Sequence, residues 1–135
     1  MKRVTLPLVY KDVNSRNGWR IPFDIFKKAV EEKYIQQRLQ TGTFFIISYS
    51  QYSVMSLKNH LEISPYDSLG RVIGFDLDNL TAVVELDCDV ETEGRGLYLS
   101  YICNEYDIAE DGIKVFKDCR IVGACINDAN KSAYL

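Results

Sequence analysis

Five carboxylates alternate with apolar residues in the second half of the chain. They are Glu85, Asp87, Asp89, Glu91 and Glu93. Alternation with a period of two is typical of a β-strand, in which side chains two positions apart share a face at roughly 6 to 7 Å. If the extended run persists, this acidic face must meet water, a cation or a basic partner. Neighbouring carboxylates at this spacing repel by only about half a kcal/mol in water, so solvation alone is a sufficient explanation.

Few other residues could perform catalysis or hold a metal. His60 is the single histidine of the chain, which excludes a metal cluster built on several histidines, and it lies in a predicted connection where an ordinary surface histidine is expected. The cysteines have no C-x-x-C spacing and are predicted to be small core residues. They are Cys88, Cys103, Cys119 and Cys125. Because no phosphate-binding glycine loop or nucleophile-elbow motif occurs either, we predict no metal and no cofactor.

Two segments have the composition of protein-binding surfaces. Trp19 lies between Arg16 and Arg20, and Tyr49 and Tyr52 lie in a segment rich in Tyr and Ser. Aromatic and arginine side chains are enriched at the hot spots of interfaces, and Tyr and Ser dominate adaptable binding loops. We predict that these five residues are contact elements. Packing of the same aromatics within the monomer is the competing interpretation.

The bulk composition predicts one domain, covering residues 1–135, that is long enough to bury a core. The sequence shows neither the long apolar run of a membrane span nor the features of a signal peptide, so the protein is expected to remain in a cytosol. Residues 1–67 carry ten Lys and Arg against six Asp and Glu, whereas residues 68–135 carry six against thirteen. This division argues against general nucleic-acid binding and is compatible with head-to-tail packing of identical copies, unless folding interleaves the two halves.

The elements that position these residues follow from periodicity and turn chemistry. A single N-terminal helix is predicted over about 22–40, opened by Pro22 and ended by Gly42. Six to eight strands are predicted beside it, including an edge strand at 3–10, a buried strand at 44–47, a hairpin of 71–77 and 80–90 with its turn at 78–79, and strands at 96–104, 113–116 and 119–126. The acidic stretch 105–112 is predicted to be a turn. The predicted fold class is α+β, with a rolled antiparallel sheet or a small β-barrel.

The segment Asn14-Ser-Arg-Asn-Gly-Trp-Arg-Ile-Pro22, followed by Phe26-Lys-Lys-Ala-Val-Glu-Glu32, resembles the opening of the prohead maturation proteases of tailed bacteriophages. The order of the glycine-terminated helix, the apolar strand, the hairpin and the strand Leu97-Tyr-Leu-Ser100 is also similar. The resemblance maps the serine nucleophile of that family to Ser100. The family's histidine on a preceding strand is missing, because residues 43–52 offer Ser and Gln instead, and Ser100 lacks the family's Ser-Arg-Gly continuation.

A serine hydroxyl without a base is a poor nucleophile. The resemblance therefore implies a protein that keeps the protease shape without the chemistry, as an auxiliary or decoration protein of a phage capsid, with large phages of the crAss-like type as the expected source. Its expected partners are the major capsid protein and other virion proteins, in many copies, in a virion assembled in the bacterial cytoplasm. Two alternatives stay open: an active maturation serine protease that uses Ser100 with His60, and a small α+β adaptor unrelated to proteases.

Overall fold

The computed structural model describes residues 2–10, 19–46, 68–87 and 89–128. Within these ranges the chain forms two helices and one mixed sheet of seven strands, which confirms the predicted α+β class. In chain order the elements are β1 (Lys2–Pro7), β2 (Trp19–Arg20), α1 (Phe23–Val30), α2 (Lys33–Thr41), β3 (Phe45–Ile46), β4 (Gly70–Asp76), β5 (Thr81–Leu86), β6 (Arg95–Ile108) and β7 (Lys114–Asp128).

The strand order of the sheet is β1-β5-β4-β3-β7-β2, and β6 pairs with β7 outside this path. Because β6 pairs with β7 along nearly its whole length, β2 and β3 share the opposite edge of β7. Both short strands run parallel to β7, so the prediction of a purely antiparallel sheet is wrong. The sheet curls until Leu8 forms an isolated bridge with Leu97 of β6, but it does not close into the barrel that was the alternative prediction.

The predicted single helix is two helices, because the chain leaves helical conformation at Glu32, where ψ is 143°. At 3.6 residues per turn, Ile35 would lie about 180° from Phe26 in one continuous helix and would face solvent. The break changes the phase, so that Phe26 of α1 and Ile35 of α2 are both fully buried. The Gln36 side chain donates a hydrogen bond of 2.9 Å to the Val30 carbonyl across the break. Gly42 ends α2 at φ +67°, as predicted.

The core lies between the two helices and the sheet, with α1 packed against β7. Its largest fully buried side chains are Phe26, Phe44, Ile21, Ile35, Ile46, Leu86, Leu97, Ile121 and Ile126. Two tyrosines at the border of this core pack their rings against it, and their hydroxyl groups donate hydrogen bonds to backbone carbonyls. Tyr10 donates to the Ile21 carbonyl at 2.6 Å, and Tyr34 donates to the Ile121 carbonyl. The bond from Tyr34 thereby fixes α2 to β7 by a polar as well as an apolar contact, and the bond from Tyr10 joins the segments that follow β1 and β2.

The predicted hairpin is present as β4 and β5, with a turn of four residues, 77–80, where a turn of two residues at 78–79 was predicted. Asp76 organises the turn, since its carboxylate accepts hydrogen bonds from the backbone amides of Asp78 and Asn79 at 3.1 and 3.2 Å and from the Asn79 side chain at 2.8 Å. These contacts, led by the Asn79 side chain, lower the pKa of the Asp76 carboxyl. The predicted edge strand at 3–10 is also present as β1, whose pairing with β5 places it at one end of the strand order.

Candidate interaction surface

Ser100 lies half-buried on β6, and its cross-strand partner on β7 is Gly123. The flanking pairs are Leu99 with Ala124 and Tyr101 with Ile121. The strand partners of Ser100 and of its two chain neighbours are therefore glycine or apolar residues. A general base must lie within about 2.6 to 3.2 Å of the hydroxyl that it activates. Among the described residues the strand partners of Ser100 supply no such group, and His60 lies outside those residues.

The first two carboxylates of the acidic run, Glu85 and Asp87, meet cations of the neighbouring strands. Arg71 of β4 donates from Nη1 to Glu85 Oε1 at 2.8 Å and from Nη2 to Asp87 Oδ2 at 2.9 Å. Arg3 of β1 donates from Nη2 to Glu85 Oε2 at 3.1 Å. The hydrogen bond from Arg3, followed by that from Arg71, lowers the pKa of the Glu85 carboxyl. The stabilisation from these pairs is present above the carboxyl's ordinary pKa and is lost as the pH falls through the lowered one.

The other three carboxylates do not continue this face, so the prediction of one strand from 80 to 90 with five carboxylates in a row is wrong. β5 ends at Leu86, opposite the points where its two antiparallel partner strands begin. Leu86 pairs with Lys2 and with Gly70, the first residues of β1 and β4. The Asp87 amide still donates to the Leu69 carbonyl at 2.9 Å, and the chain bends at Asp87 where the ladder ends. Asp89, Glu91 and Glu93 are exposed in the segment that leads to β6. Within the described ranges, no three His, Cys, Asp or Glu residues are grouped so that they could hold a metal ion.

Trp19 and Arg20 form β2 and pair with the first two residues of β7. The indole of Trp19 stacks on the ring of Phe116 with centroids 5.2 Å apart and meets the ring of Tyr101 edge-on at 6.0 Å. Trp19 is half-buried, and these contacts pack its indole against two rings of the same chain. The other predicted contact residues, Arg16, Tyr49 and Tyr52, lie outside the described residues.

Tyr106 and Ile108, close to the end of β6, extend this aromatic region onto the surface. Tyr106 is 45% exposed and Ile108 is 68% exposed, and residues two apart on a strand share a face. Tyr106 is the cross-strand partner of Phe116, on which Trp19 stacks, and the Lys114 ammonium lies 5.0 Å from the Tyr106 ring centroid. We call the surface formed by Trp19, Tyr106, Ile108 and Lys114 the tip patch. Arg20 follows Trp19 on β2 and pairs with Val115, so it belongs to the opposite face of the sheet.

The opposite face of the same strands is acidic. Glu105 and Asp107 lie there, 3.5 and 3.9 Å from the ammonium of Lys117. Residues 105–118 together carry five carboxylates and two lysines. The tip patch is therefore an apolar surface, and the reverse side of the same strands is negatively charged. Sequence reasoning missed Tyr106 and Ile108 because residues 105–112 were predicted to be a turn, although their alternation with Glu105 and Asp107 was a usable strand signal.

Comparisons with protein-family models, curated proteins and solved structures find no match to this chain. In the part of the chain that the structure describes, no helix is long and apolar enough to cross a membrane.

Proposed function

We propose that this protein is a non-enzymatic auxiliary, or decoration, protein of a bacteriophage capsid and that it acts by binding the capsid shell. The capsid assignment is based on the resemblance of its sequence to prohead maturation proteases. The binding role is based on the tip patch, which carries the proposal. This patch places a tryptophan, a tyrosine and an isoleucine on one face at one end of the sheet.

The composition of the tip patch suits a protein partner of defined character. Ile108 is mostly exposed and Tyr106 is nearly half exposed, which means that a partner can still remove a large apolar area from water. The carboxylates of Glu105 and Asp107, which flank Tyr106 in the chain, give this end of the sheet a negative charge, and this charge favours a shell surface that carries Lys or Arg around an apolar centre. Attraction between exposed charges is screened by salt, so binding should weaken as the ionic strength rises.

The double variant Tyr106→Ala/Ile108→Thr tests shell binding. We expect it to lower affinity for intact heads of the encoding phage, and for shells of its major capsid protein, by about tenfold or more, since truncating hot-spot residues costs at least 1 to 2 kcal/mol. Co-sedimentation across a concentration series measures the effect. Ile108 is mostly exposed and Tyr106 is nearly half exposed, so the melting temperature should stay close to that of the wild type.

Val83→Thr is the matched control, because Val83 is a partly exposed β-branched residue on β5, far along the strand order from the tip patch. It should bind shells like the wild type. Equal binding of the double variant and the wild type would show that the tip patch is not the contact. A wild-type protein that never sediments with heads or shells would refute the capsid proposal.

The serine of the predicted protease position should have no catalytic role. We expect the purified protein to cleave neither scaffold nor capsid peptides, and Ser100→Ala to bind shells as the wild type does, since the strand partners of Ser100 in the described residues offer no base. Mass spectrometry of peptides incubated with either protein measures cleavage. Processing by the wild type that disappears in Ser100→Ala would instead establish an active protease.

A further inference from the structure

Cys103 of β6 and Cys119 of β7 are directly opposed in the antiparallel ladder. Opposed residues point to the same face of a sheet. Cys119 is 2% exposed and belongs to the main core, while Cys103 is half-buried and packs against that core from its border. Both are free thiols. Burial raises the pKa of the Cys119 thiol, and the nearby Cys103 raises it further.

The register puts this pair within the range that a disulfide requires. Directly opposed residues of antiparallel strands have Cα atoms about 4.5 to 5.5 Å apart, and disulfides span Cα separations of about 4.4 to 6.8 Å. The ladder shifts immediately beyond the pair, between Cys103 and Glu105, and bulged regions can adjust local twist. No large movement of the backbone is needed to join the two sulfurs.

We propose that Cys103 and Cys119 form an intramolecular cross-strand disulfide when the protein meets an oxidising thiol–disulfide environment. The bond would covalently fasten the part of the β6–β7 hairpin that carries the tip patch. In a reducing cytoplasm the two thiols remain free. This inference is independent of the proposed capsid role, since it depends only on the pairing of the two strands.

The reaction with oxidised glutathione proceeds in two exchanges. The Cys103 thiolate, the more accessible of the two, attacks one glutathione sulfur, forming a mixed disulfide and releasing one glutathione thiolate. The Cys119 thiolate then attacks the Cys103 sulfur and releases the second glutathione. Two protein thiols lose two protons and two electrons, and one glutathione disulfide is reduced to two glutathione thiols. The hydrogen bond of 3.1 Å that the Cys103 thiol donates to the Glu105 carbonyl must also break.

The environment of the pair makes the reaction slow at neutral pH. Burial raises the pKa of the Cys103 thiol and raises the pKa of Cys119 to about 12, so few thiolates are present. The charged groups that act on the two thiols are Asp118, Glu105, Glu32 and Lys114. We therefore expect the rate to rise by about tenfold for each pH unit in the range where both thiols are mainly protonated and thiolate formation limits the reaction.

The test is oxidation of the folded protein with oxidised glutathione at pH 8.5. We expect the intact mass to fall by about 2 Da through loss of two hydrogen atoms, and a non-reducing digest to contain a linked pair of peptides with Cys103 and Cys119. The melting temperature should rise by about 5 to 10 °C, because the bond closes a loop between residues 103 and 119 and so lowers the conformational entropy of the unfolded chain. It should return to the original value on reduction.

Cys103→Ser should abolish the linked peptides while it keeps a hydroxyl that can donate to the Glu105 carbonyl. Cys125→Ala removes another buried thiol of β7, one whose cross-strand partner is Tyr98, and should oxidise as the wild type does. A persistent glutathione adduct, a bond to Cys88 or Cys125, a bond only between molecules, or no change in mass would each overturn the proposal.

Discussion

Replacing Gly70 with alanine should lower the free energy of unfolding by about 3 kcal/mol or more. A Cβ atom at this position would lie 2.1 Å from the Glu85 carbonyl oxygen and 2.8 Å from the Leu86 Cα atom. Those neighbours are backbone atoms of the paired strand, so no side chain can rotate away to make room. Gly70 also has φ of +155°, where side chains are rarely tolerated. Urea denaturation of Gly70→Ala and wild type measures the difference.

Gly74→Ala on the same strand is the control, because a Cβ atom there would meet nothing within 4 Å. It should leave stability unchanged or increase it by a few tenths of a kcal/mol. If both alanine variants unfold at the same urea concentration, β4 does not pack against β5 as closely as described.

Leu86→Ala should lower the free energy of unfolding by about 2 to 5 kcal/mol, the range for truncating a fully buried leucine. Leu86 is 1% exposed and pairs with both Lys2 of β1 and Gly70 of β4, so the cavity would open where three strands meet. Thermal and urea unfolding measure the loss.

Glu93→Gln is the control for Leu86→Ala, because Glu93 is exposed beyond the end of β5, and it should change stability by no more than about 0.5 kcal/mol. Comparable losses in Leu86→Ala and Glu93→Gln would contradict the assignment of Leu86 to the core. Since the atoms that obstruct a side chain at Gly70 belong to the backbone, Leu86→Ala should not rescue Gly70→Ala.

Structural features that depend on residues close together in the chain could be predicted from the sequence. The turn at Asp78-Asn79, the helix start at Pro22 and the helix end at Gly42 each depend on contacts within a few positions. The break at Glu32 was not predicted, because the charged residues around it favour a helix on either side. The break is explained by the tertiary structure, because it allows both Phe26 and Ile35 to be buried in the same core.

Features decided by distant pairing could not be predicted in the same way. β2 and β3 contain two residues each, too few for any periodic signal, and their parallel pairing with β7 is set by the rest of the sheet. The acidic end of β6 reads as a turn in isolation and becomes a strand because residues 114–118 lie beside it. For the candidate surface, Trp19 could be selected from the sequence, but its neighbours Tyr106 and Ile108 required the three-dimensional arrangement.

The position of β7 in the sheet governs the order in which this chain can mature on the ribosome. β2 has no other strand partner among the described residues, and α1 packs against β7, yet both emerge long before residues 114–128 are synthesised. The apolar side of α1, including Phe26, cannot pack against β7 until those residues have been synthesised. Closure by a late strand over long sequence separations is slow and leaves the nascent chain prone to aggregation. The interval before β7 is complete is therefore the period in which this chain is expected to be most prone to aggregation.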